Sequence, residues 1–287
     1  MADSTISKVG VIGGGLMGSG ITEVAARSGL DTVVVEVSPE AAAAAEQRVR
    51  DSVGKAEKRG KISSQDAAEM LERIVFTTDL TELRDRDLVV EAASEQEDVK
   101  LALFEKVGAL LEKDDAILAS NTSSIPIVKL GAVSGRASHV MGVHFFNPAP
   151  VMQLVELIPS LTTSPETMQR MQAFVTDRLG KQPIEATDRA GFVVNSLLVP
   201  YLLSAIRMYE AGYASAEDID RGMVLGCGHP MGPLALSDLI GLDTIRAIGV
   251  SMYEEFKEPL YSPPPLLDRM VDAGLLGKKS GHGFYPY

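Results

Sequence analysis

The sequence has no tryptophan, only one cysteine, and an aromatic content of 5%. A single cysteine, Cys227, cannot form a disulfide within the chain, so nothing in the cysteine content indicates an oxidising compartment. No histidine–cysteine cluster accompanies it, and we therefore predict that Cys227 is a small buried side chain rather than a metal ligand. The sequence predicts no metal site.

Positive charge is also scarce, with 27 lysines and arginines against 39 acidic residues and a formal net charge of −12. This balance argues against non-specific binding to nucleic acid or to an anionic membrane, because both require a basic surface. No uninterrupted apolar run reaches the roughly 20 residues that cross a bilayer, and the first apolar run is broken by glycines, unlike a signal peptide. We therefore expect a soluble, cytoplasmic protein.

The 287 residues, of which 45% are hydrophobic, are enough for a substantial core and for two domains. Short β-branched runs alternate with longer helical patterns along the first half of the chain, which favours a parallel sheet covered on both faces. Two further strand-like runs, Val140–Phe146 and Val151–Ile158, are joined by an Asn-Pro-Ala-Pro turn and predict an antiparallel pair. From about Gly191 the pattern is helical, and the apolar segment Phe192–Ala211 predicts a helix buried between domains or subunits and kinked at Pro200. We predict an α/β domain over residues 1–188 and an all-α domain over residues 189–287.

A glycine-rich segment follows the first predicted strand and opens the first helix. Its Gly13-x-Gly15-x-x-Gly18 spacing fits the dinucleotide fingerprint, in which the glycines permit a tight turn, close approach of a pyrophosphate and close packing. Glu36 ends the second strand, where an acidic group accepts hydrogen bonds from ribose hydroxyls and repels a ribose phosphate. This pattern predicts NAD rather than NADP, although a plain strand–helix turn and an ordinary helix-entry carboxylate remain the alternatives.

His144 lies on the apolar run MGVHFF and is the strongest candidate for a catalytic base. If the turn is centred near residues 149 and 150, positions whose numbers sum to about 300 face each other, and Glu156 becomes its cross-strand neighbour. A carboxylate on one imidazole nitrogen leaves the other free to accept a proton. A buried ion pair without function is the alternative. On a regular strand His139 points to the opposite face, while His229 and His282 lie in glycine-rich turns with no carboxylate at a suggestive spacing.

Polar residues at three other places are candidates for ligand contacts. The segment Ser120-Asn121-Thr122-Ser123-Ser124 ends a strand at the carboxyl edge of the sheet, where its first two residues could bind a substrate or a nicotinamide and the last three could cap a helix. Asn195 is an amide in an apolar helix and must find a partner, structural or otherwise. A helical face formed by Arg48, Ser52, Lys55 and Arg59 could hold the phosphates of a nucleotide tail, or it could simply be a solvated face.

Six motifs together resemble the short-chain 3-hydroxyacyl-CoA dehydrogenases over almost the whole chain. They are GGGLMGSGI, ASNTSS, HFFNPAPVMQLVE, AGFVVN, DRGMVLGCGHPMGPLALSDLIGLD and GKKSGHGFY. The resemblance implies a Rossmann-type domain, a helical domain that makes a homodimer contact, and reversible NAD-dependent oxidation of an (S)-3-hydroxyacyl-CoA, with 3-hydroxybutyryl-CoA the expected substrate. Fatty-acid β-oxidation and butanoate metabolism both use this reaction.

The same resemblance implies roles for individual residues. His144 is the implied base and Glu156 its orienting carboxylate, with Ser120 and Asn195 near the reacting oxygen and the thioester. The implied NAD contacts are Gly13, Gly14, Gly15, Leu16, Met17, Gly18, Glu36, Glu95, Lys100, Ser120, Asn147 and Lys279. The implied coenzyme A contacts are Ser52 and Arg59, with Lys55 added on the basis of its position. Many relatives have aspartate at position 36 and lysine at position 59, which puts fine geometry rather than charge in doubt.

Three alternative functions remain open from the sequence. A β-hydroxyacid dehydrogenase is disfavoured, because Gly191 occupies the place where those enzymes have a catalytic lysine four residues before a helical asparagine. A gulonate-type sugar-acid 3-dehydrogenase shares the histidine–glutamate pair. A non-catalytic NAD-binding protein has no need of that pair.

Overall fold

The computed structural model describes residues 6–287 and divides into two compact units. The first unit ends at Asp188, and the second spans Arg189–Tyr287. Each unit has its own apolar core.

The first unit is built on one sheet of eight strands, in the order β3-β2-β1-β4-β5-β6-β7-β8. The strands are β1 (Lys8–Ile12), β2 (Asp31–Val35), β3 (Ile74–Thr77), β4 (Leu88–Glu91), β5 (Ile117–Ser120), β6 (Val140–Phe145), β7 (Leu154–Pro159) and β8 (Gln182–Glu185). Every neighbouring pair is parallel except β6 and β7, which are antiparallel. The first six strands therefore have the order of a dinucleotide-binding sheet, with the reversal of strand order beside β1.

Helices connect the parallel strands of this unit, except that a short 3₁₀ turn over Leu80–Leu83 joins β3 to β4. They are α1 (Leu16–Arg27), α2 (Pro39–Lys58), α3 (Ser64–Glu72), α4 (Glu97–Leu110), α5 (Ile127–Val133) and α6 (Pro165–Ala173), and a π-helical turn over Phe174–Arg178 continues α6. Local sequence fixes several of their starts. Ser38 caps α2 through its hydroxyl and Pro39 follows it, while Ser63 and Asp66 form a reciprocal capping box at α3.

The antiparallel pair has the predicted register. His144 faces Glu156, and Met141 faces Pro159, so partner numbers sum to 300. The expected bounds differ at the turn, because the second strand begins at Leu154 rather than Val151 and a longer loop separates the strands. His139 is not on the strand at all but in a short 3₁₀ turn over Ala137–His139, so the strand alternation used to orient it does not apply.

The second unit is helical, as predicted, with α7 (Val194–Glu210), α8 (Ala216–Cys227), α9 (Pro233–Ile240), α10 (Leu242–Phe256) and α11 (Pro265–Asp272). Pro200 lies inside α7. The prediction that Cys227 is buried is wrong, because it ends α8 in a turn that is exposed as a whole and carries the exposed Leu225. Within residues 6–287, no helix combines the length and the apolar character needed to span a membrane.

Candidate active site

The glycine-rich segment forms a tight loop between β1 and α1. Gly13 has φ +87°, a backbone conformation that favours glycine, and a Cβ added at Gly18 would lie 1.7 Å from the Gly13 carbonyl oxygen. A Cβ added at Gly15 would instead meet open space, so a ligand can approach the backbone there. Within the described part of the chain, no side chain caps α1, and its first N–H groups are available to an anion. The loop therefore fits the pyrophosphate of a dinucleotide.

Glu36 lies one residue beyond β2 and is held against this loop. One carboxylate oxygen accepts a hydrogen bond from the Gly14 N–H at 2.6 Å and the other accepts one from the Val37 N–H at 3.2 Å. Each carboxylate oxygen keeps a further lone pair, so Glu36 can still accept hydrogen bonds from ribose hydroxyls. The Arg48 guanidinium, on α2, donates to the Gly14 carbonyl at 3.0 Å and fixes the other side of the loop.

A hydrogen-bonded chain joins the half-buried Ser123 to the buried His144 and Glu156 at the carboxyl edge of the sheet. His144 Nδ1 lies 2.7 Å from Glu156 Oε2, and Glu156 is fully buried. Because a carboxylate only accepts, this contact places the proton on Nδ1 and leaves Nε2 with its lone pair. Ser123 Oγ lies 3.0 Å from that Nε2. The imidazole is thus oriented as a general base, with a serine hydroxyl beside its basic nitrogen.

Ser120 lies in a buried hydrogen-bond network centred on Glu91. Its hydroxyl donates to Glu91 Oε2 at 2.7 Å and accepts from the Thr122 N–H at 3.2 Å, and its side chain is fully buried. Glu91, which ends β4, also receives two hydrogen bonds from Lys100 Nζ at 2.7 and 2.8 Å. The geometry therefore does not support the expectation that Ser120 contacts substrate. Ser123 is the hydroxyl that stands in front of His144.

Glu95 ties the loop after β5 to Lys100. Its Oε2 lies 3.2 Å from Lys100 Nζ, and its Oε1 accepts from the Ser123 N–H at 2.9 Å and from the hydroxyls of Thr122 and Ser124. Burial raises the pKa of Glu95, but the Lys100 charge and these hydrogen bonds outweigh it and hold the pKa below its ordinary value. Lys100 is almost fully buried, and its ammonium lies between the Glu91 and Glu95 carboxylates. In this arrangement, any effect of Lys100 on a ligand passes through these two carboxylates.

A cavity of about 290 Å³ opens in the same unit between α1, α2 and the loop that joins β6 to β7. Ser52 and Lys55 line it, together with Arg48, and Asn147–Pro150 form the facing wall. Three members of the predicted helical face thus share one cleft. Arg59 directly follows the last residue of α2, as its C-cap, and lies outside that lining.

Two further candidates lie in the second unit. Asn195 is buried in the first turn of α7. Lys279 is half-exposed and donates to Asp243 at 2.6 Å. His229 contacts Tyr201 Oη through Nδ1 at 3.1 Å. Among the described residues, no group of three or more histidine, cysteine or acidic side chains is arranged to hold a metal ion.

Sequence reasoning did not single out Glu91, and it expected Ser120 near the reacting oxygen, whereas the serine beside His144 is Ser123. The signal for Glu91 was available, because an acidic residue ends an otherwise apolar strand, LVVE, and must find a buried partner. The choice between Ser120 and Ser123 had no such signal. It depends on the path of the loop after β5, which the spacing of residues does not give.

Comparison with known proteins supports the same interpretation. A family model described as the NAD-binding domain of 3-hydroxyacyl-CoA dehydrogenase matches residues 8–189, and one for the C-terminal domain of that family matches residues 191–287. The chain is 52% identical to a 3-hydroxybutyryl-CoA dehydrogenase of Mycobacterium tuberculosis, covering 100% of both chains.

Two solved structures also support this interpretation. The crystal structure of FadB2 from M. tuberculosis matches with a TM-score of 0.98 at 52% identity and 99% coverage of both chains. The (S)-3-hydroxybutyryl-CoA dehydrogenase PaaH1 from Ralstonia eutropha matches with a TM-score of 0.93 at 44% identity, again with 99% coverage of both chains. The first unit is therefore an NAD-binding domain, and the chain belongs to the 3-hydroxyacyl-CoA dehydrogenase family.

Proposed function

We propose that this enzyme catalyses the reversible, NAD-dependent oxidation of an (S)-3-hydroxyacyl-CoA to the 3-oxoacyl-CoA, with 3-hydroxybutyryl-CoA as its substrate. The observation that carries the proposal is the Ser123–His144–Glu156 chain, in a domain whose glycine loop fits a dinucleotide. The names of close relatives support the choice of acyl-CoA.

In the proposed mechanism, His144 Nε2 takes the proton of the substrate hydroxyl as hydride leaves C3. Bound NAD supplies the hydride acceptor. Glu156 stabilises the imidazolium that results, because its carboxylate is buried and hydrogen-bonded to Nδ1. In the reducing direction the protonated His144 returns the proton to the 3-oxo oxygen.

We assign to Ser123 the contact with the substrate oxygen, in place of Ser120. Its hydroxyl lies 3.0 Å from His144 Nε2, and its N–H is held by Glu95. A substrate hydroxyl that binds next to Nε2 therefore has a second hydrogen-bonding partner at hand. Asn195 remains a proposed contact to the thioester.

The cleft beside α2 is the proposed site of the coenzyme A phosphates. Lys55 supplies a cation and Ser52 a hydroxyl on one wall, and the opposite wall carries Pro148 and Pro150. A local cation is needed because the protein as a whole carries a net charge of −12, which repels a polyanionic ligand. Arg59 is a second proposed phosphate contact, at the end of the same helix. Glu36, Glu95, Lys100, Asn147 and Lys279 remain proposed NAD-site residues.

A homodimer formed through the helical unit is also part of the proposal. This unit exposes large apolar side chains, including Leu197, Tyr213 and Leu225, and exposed apolar surface of this kind marks interaction sites. The place in fatty-acid β-oxidation or butanoate metabolism rests on the proposed substrate, and a cytoplasmic location stays a prediction from the sequence. Neither nucleic acid nor a membrane is a proposed partner.

The test is the loss of NADH absorbance with acetoacetyl-CoA, compared with NADPH and with His144→Ala. We expect turnover with NADH that the substitution abolishes. A folded protein that binds NADH but turns over only gulonate, in the oxidising direction, would select the sugar-acid dehydrogenase instead. A protein that binds NADH and turns over neither substrate would select the non-catalytic alternative.

A further inference from the structure

Lys181 is a buried cation that the proposed mechanism does not use. It immediately precedes β8, it is 4% exposed, and its ammonium donates to the carbonyl oxygens of Ala149 at 2.8 Å and Met152 at 2.6 Å. Both acceptors are neutral, so these contacts offset only part of the cost of burying the charge. Burial lowers the pKa of Lys181, and the nearby Arg27 charge lowers it further.

The two carbonyls belong to the loop that joins β6 to β7. Within that loop the N–H groups of Val151 and Met152 both donate to the Pro148 carbonyl, at 2.9 and 3.0 Å. The carbonyl oxygens of Ala149 and Met152 instead accept hydrogen bonds from the buried Lys181 ammonium. The lysine thus holds both halves of one turn.

The same loop shapes the two ligand sites of the first unit. Asn147–Pro150 form one wall of the cleft that faces Ser52 and Lys55. Asn147 is also a proposed NAD contact. On its inner side Ala149 packs closely against α1, since a Cβ added at Gly20 would lie 3.1 Å from the Ala149 Cβ. The loop is therefore fixed from two directions, by α1 and by Lys181.

We infer that Lys181 is a positioning residue for substrate and cofactor binding, which acts by holding the Asn147–Met152 loop in its binding conformation. His144 and Glu156 do not depend on this clamp, because their pairing belongs to a five-residue register between β6 and β7. Loss of the ammonium therefore affects binding through the loop and leaves the proton transfer intact.

The first test is Lys181→Met, which keeps an unbranched apolar stem and removes the charge. We expect KM for acetoacetyl-CoA and Kd for NADH each to rise on the order of tenfold, because a hydrogen bond to a charged group typically contributes enough free energy for a change of that size. We expect kcat to change by less than about twofold, the pattern that separates binding from chemistry. Lys106→Met, at an exposed position on α4, is the matched control. Unchanged KM and Kd, or a fall in kcat alone, would overturn the inference.

A second variant covers the case in which Lys181→Met does not fold. Lys181→Ala leaves space for a small amine, and propylammonium should restore NADH affinity as its concentration rises, whereas tetramethylammonium, which has no N–H donor, should not. Equal effects of the two cations would refute a role for the ammonium.

The inference rests on the proposed function only for the acyl-CoA measurement. NADH binding, followed by its fluorescence, needs no substrate. If the wild-type protein does not reduce acetoacetyl-CoA, the proposed function fails, while the Lys181 variants still show whether the clamp supports the cofactor site.

Discussion

Replacing Glu156 with glutamine tests the proposed mechanism at its central contact. The amide has nearly the shape of the carboxylate, and its oxygen can still accept a hydrogen bond from the Nδ1–H, so His144 keeps its place in the register with position 156. What is lost is the negative charge that stabilises the imidazolium. The substitution should therefore slow the chemical step and leave binding nearly unchanged.

The structure sets the size of this effect. Glu156 is fully buried and lies 2.7 Å from Nδ1, so water cannot replace the missing charge. A hydrogen bond to a charged group contributes about 1.5–3 kcal/mol, and each 1.36 kcal/mol is a factor of ten in rate. We therefore expect kcat to fall roughly 10- to 150-fold.

The assay is steady-state reduction of acetoacetyl-CoA with NADH, together with the dissociation constant of NADH from fluorescence. The matched control is Glu185→Gln on the neighbouring strand β8, where the carboxylate is exposed and faces Leu157 in the register. Thermal unfolding of both variants checks the fold. Full turnover by Glu156→Gln, or a loss explained entirely by weaker NADH binding, would refute the reasoning.

Five further substitutions, in three comparisons, test other parts of the site. Ser123→Ala should lower kcat with acetoacetyl-CoA, because it removes the hydroxyl beside His144 Nε2. Ser120→Ala should mainly lower the melting temperature, because it removes a buried hydrogen bond to Glu91. The reverse pattern would restore Ser120 to the catalytic role. Lys55→Glu should raise KM for acetoacetyl-CoA by on the order of tenfold. Arg59→Glu should raise it by less, because Lys55 lines the cleft and Arg59 does not. Equal KM values for both variants and the wild type would leave the cleft without a role. Gly18→Ala should abolish NADH binding, because its Cβ would lie 1.7 Å from the Gly13 carbonyl; retained affinity in a folded variant would contradict the loop geometry.

The sequence predicted the architecture well where a local pattern carries three-dimensional meaning. A turn between two apolar strands determines which residues face each other, and so the His144–Glu156 contact could be predicted from residue numbers alone. The glycine loop and the alternating elements are readable for the same reason. Each is fixed by residues that are neighbours in the chain.

Other features depend on contacts between distant segments, and the sequence did not show them. The strand β8 is short and only partly buried, so its sequence has no strong apolar pattern. Its place in the sheet comes from pairing with β7. Whether Ser120 or Ser123 lies beside His144 depends on where the loop after β5 turns, and residue spacing does not show that. The prediction that Cys227 is buried was wrong, because the burial of a helical residue depends on which side of α8 is covered and the last turn of that helix is exposed.

The hairpin that pairs His144 with Glu156 separates what must stay constant from what can vary. Residues added to or removed from the loop between β6 and β7 leave the pairing intact, provided that both strands keep their buried faces inward, whereas a shift of one residue within a strand would turn its side chains to the opposite face. The pairing of His144 with Glu156 therefore tolerates changes in the length of this loop. A lineage of such enzymes can alter the wall of the proposed acyl-CoA cleft, and with it the ligand preference, without rebuilding the proposed catalytic base.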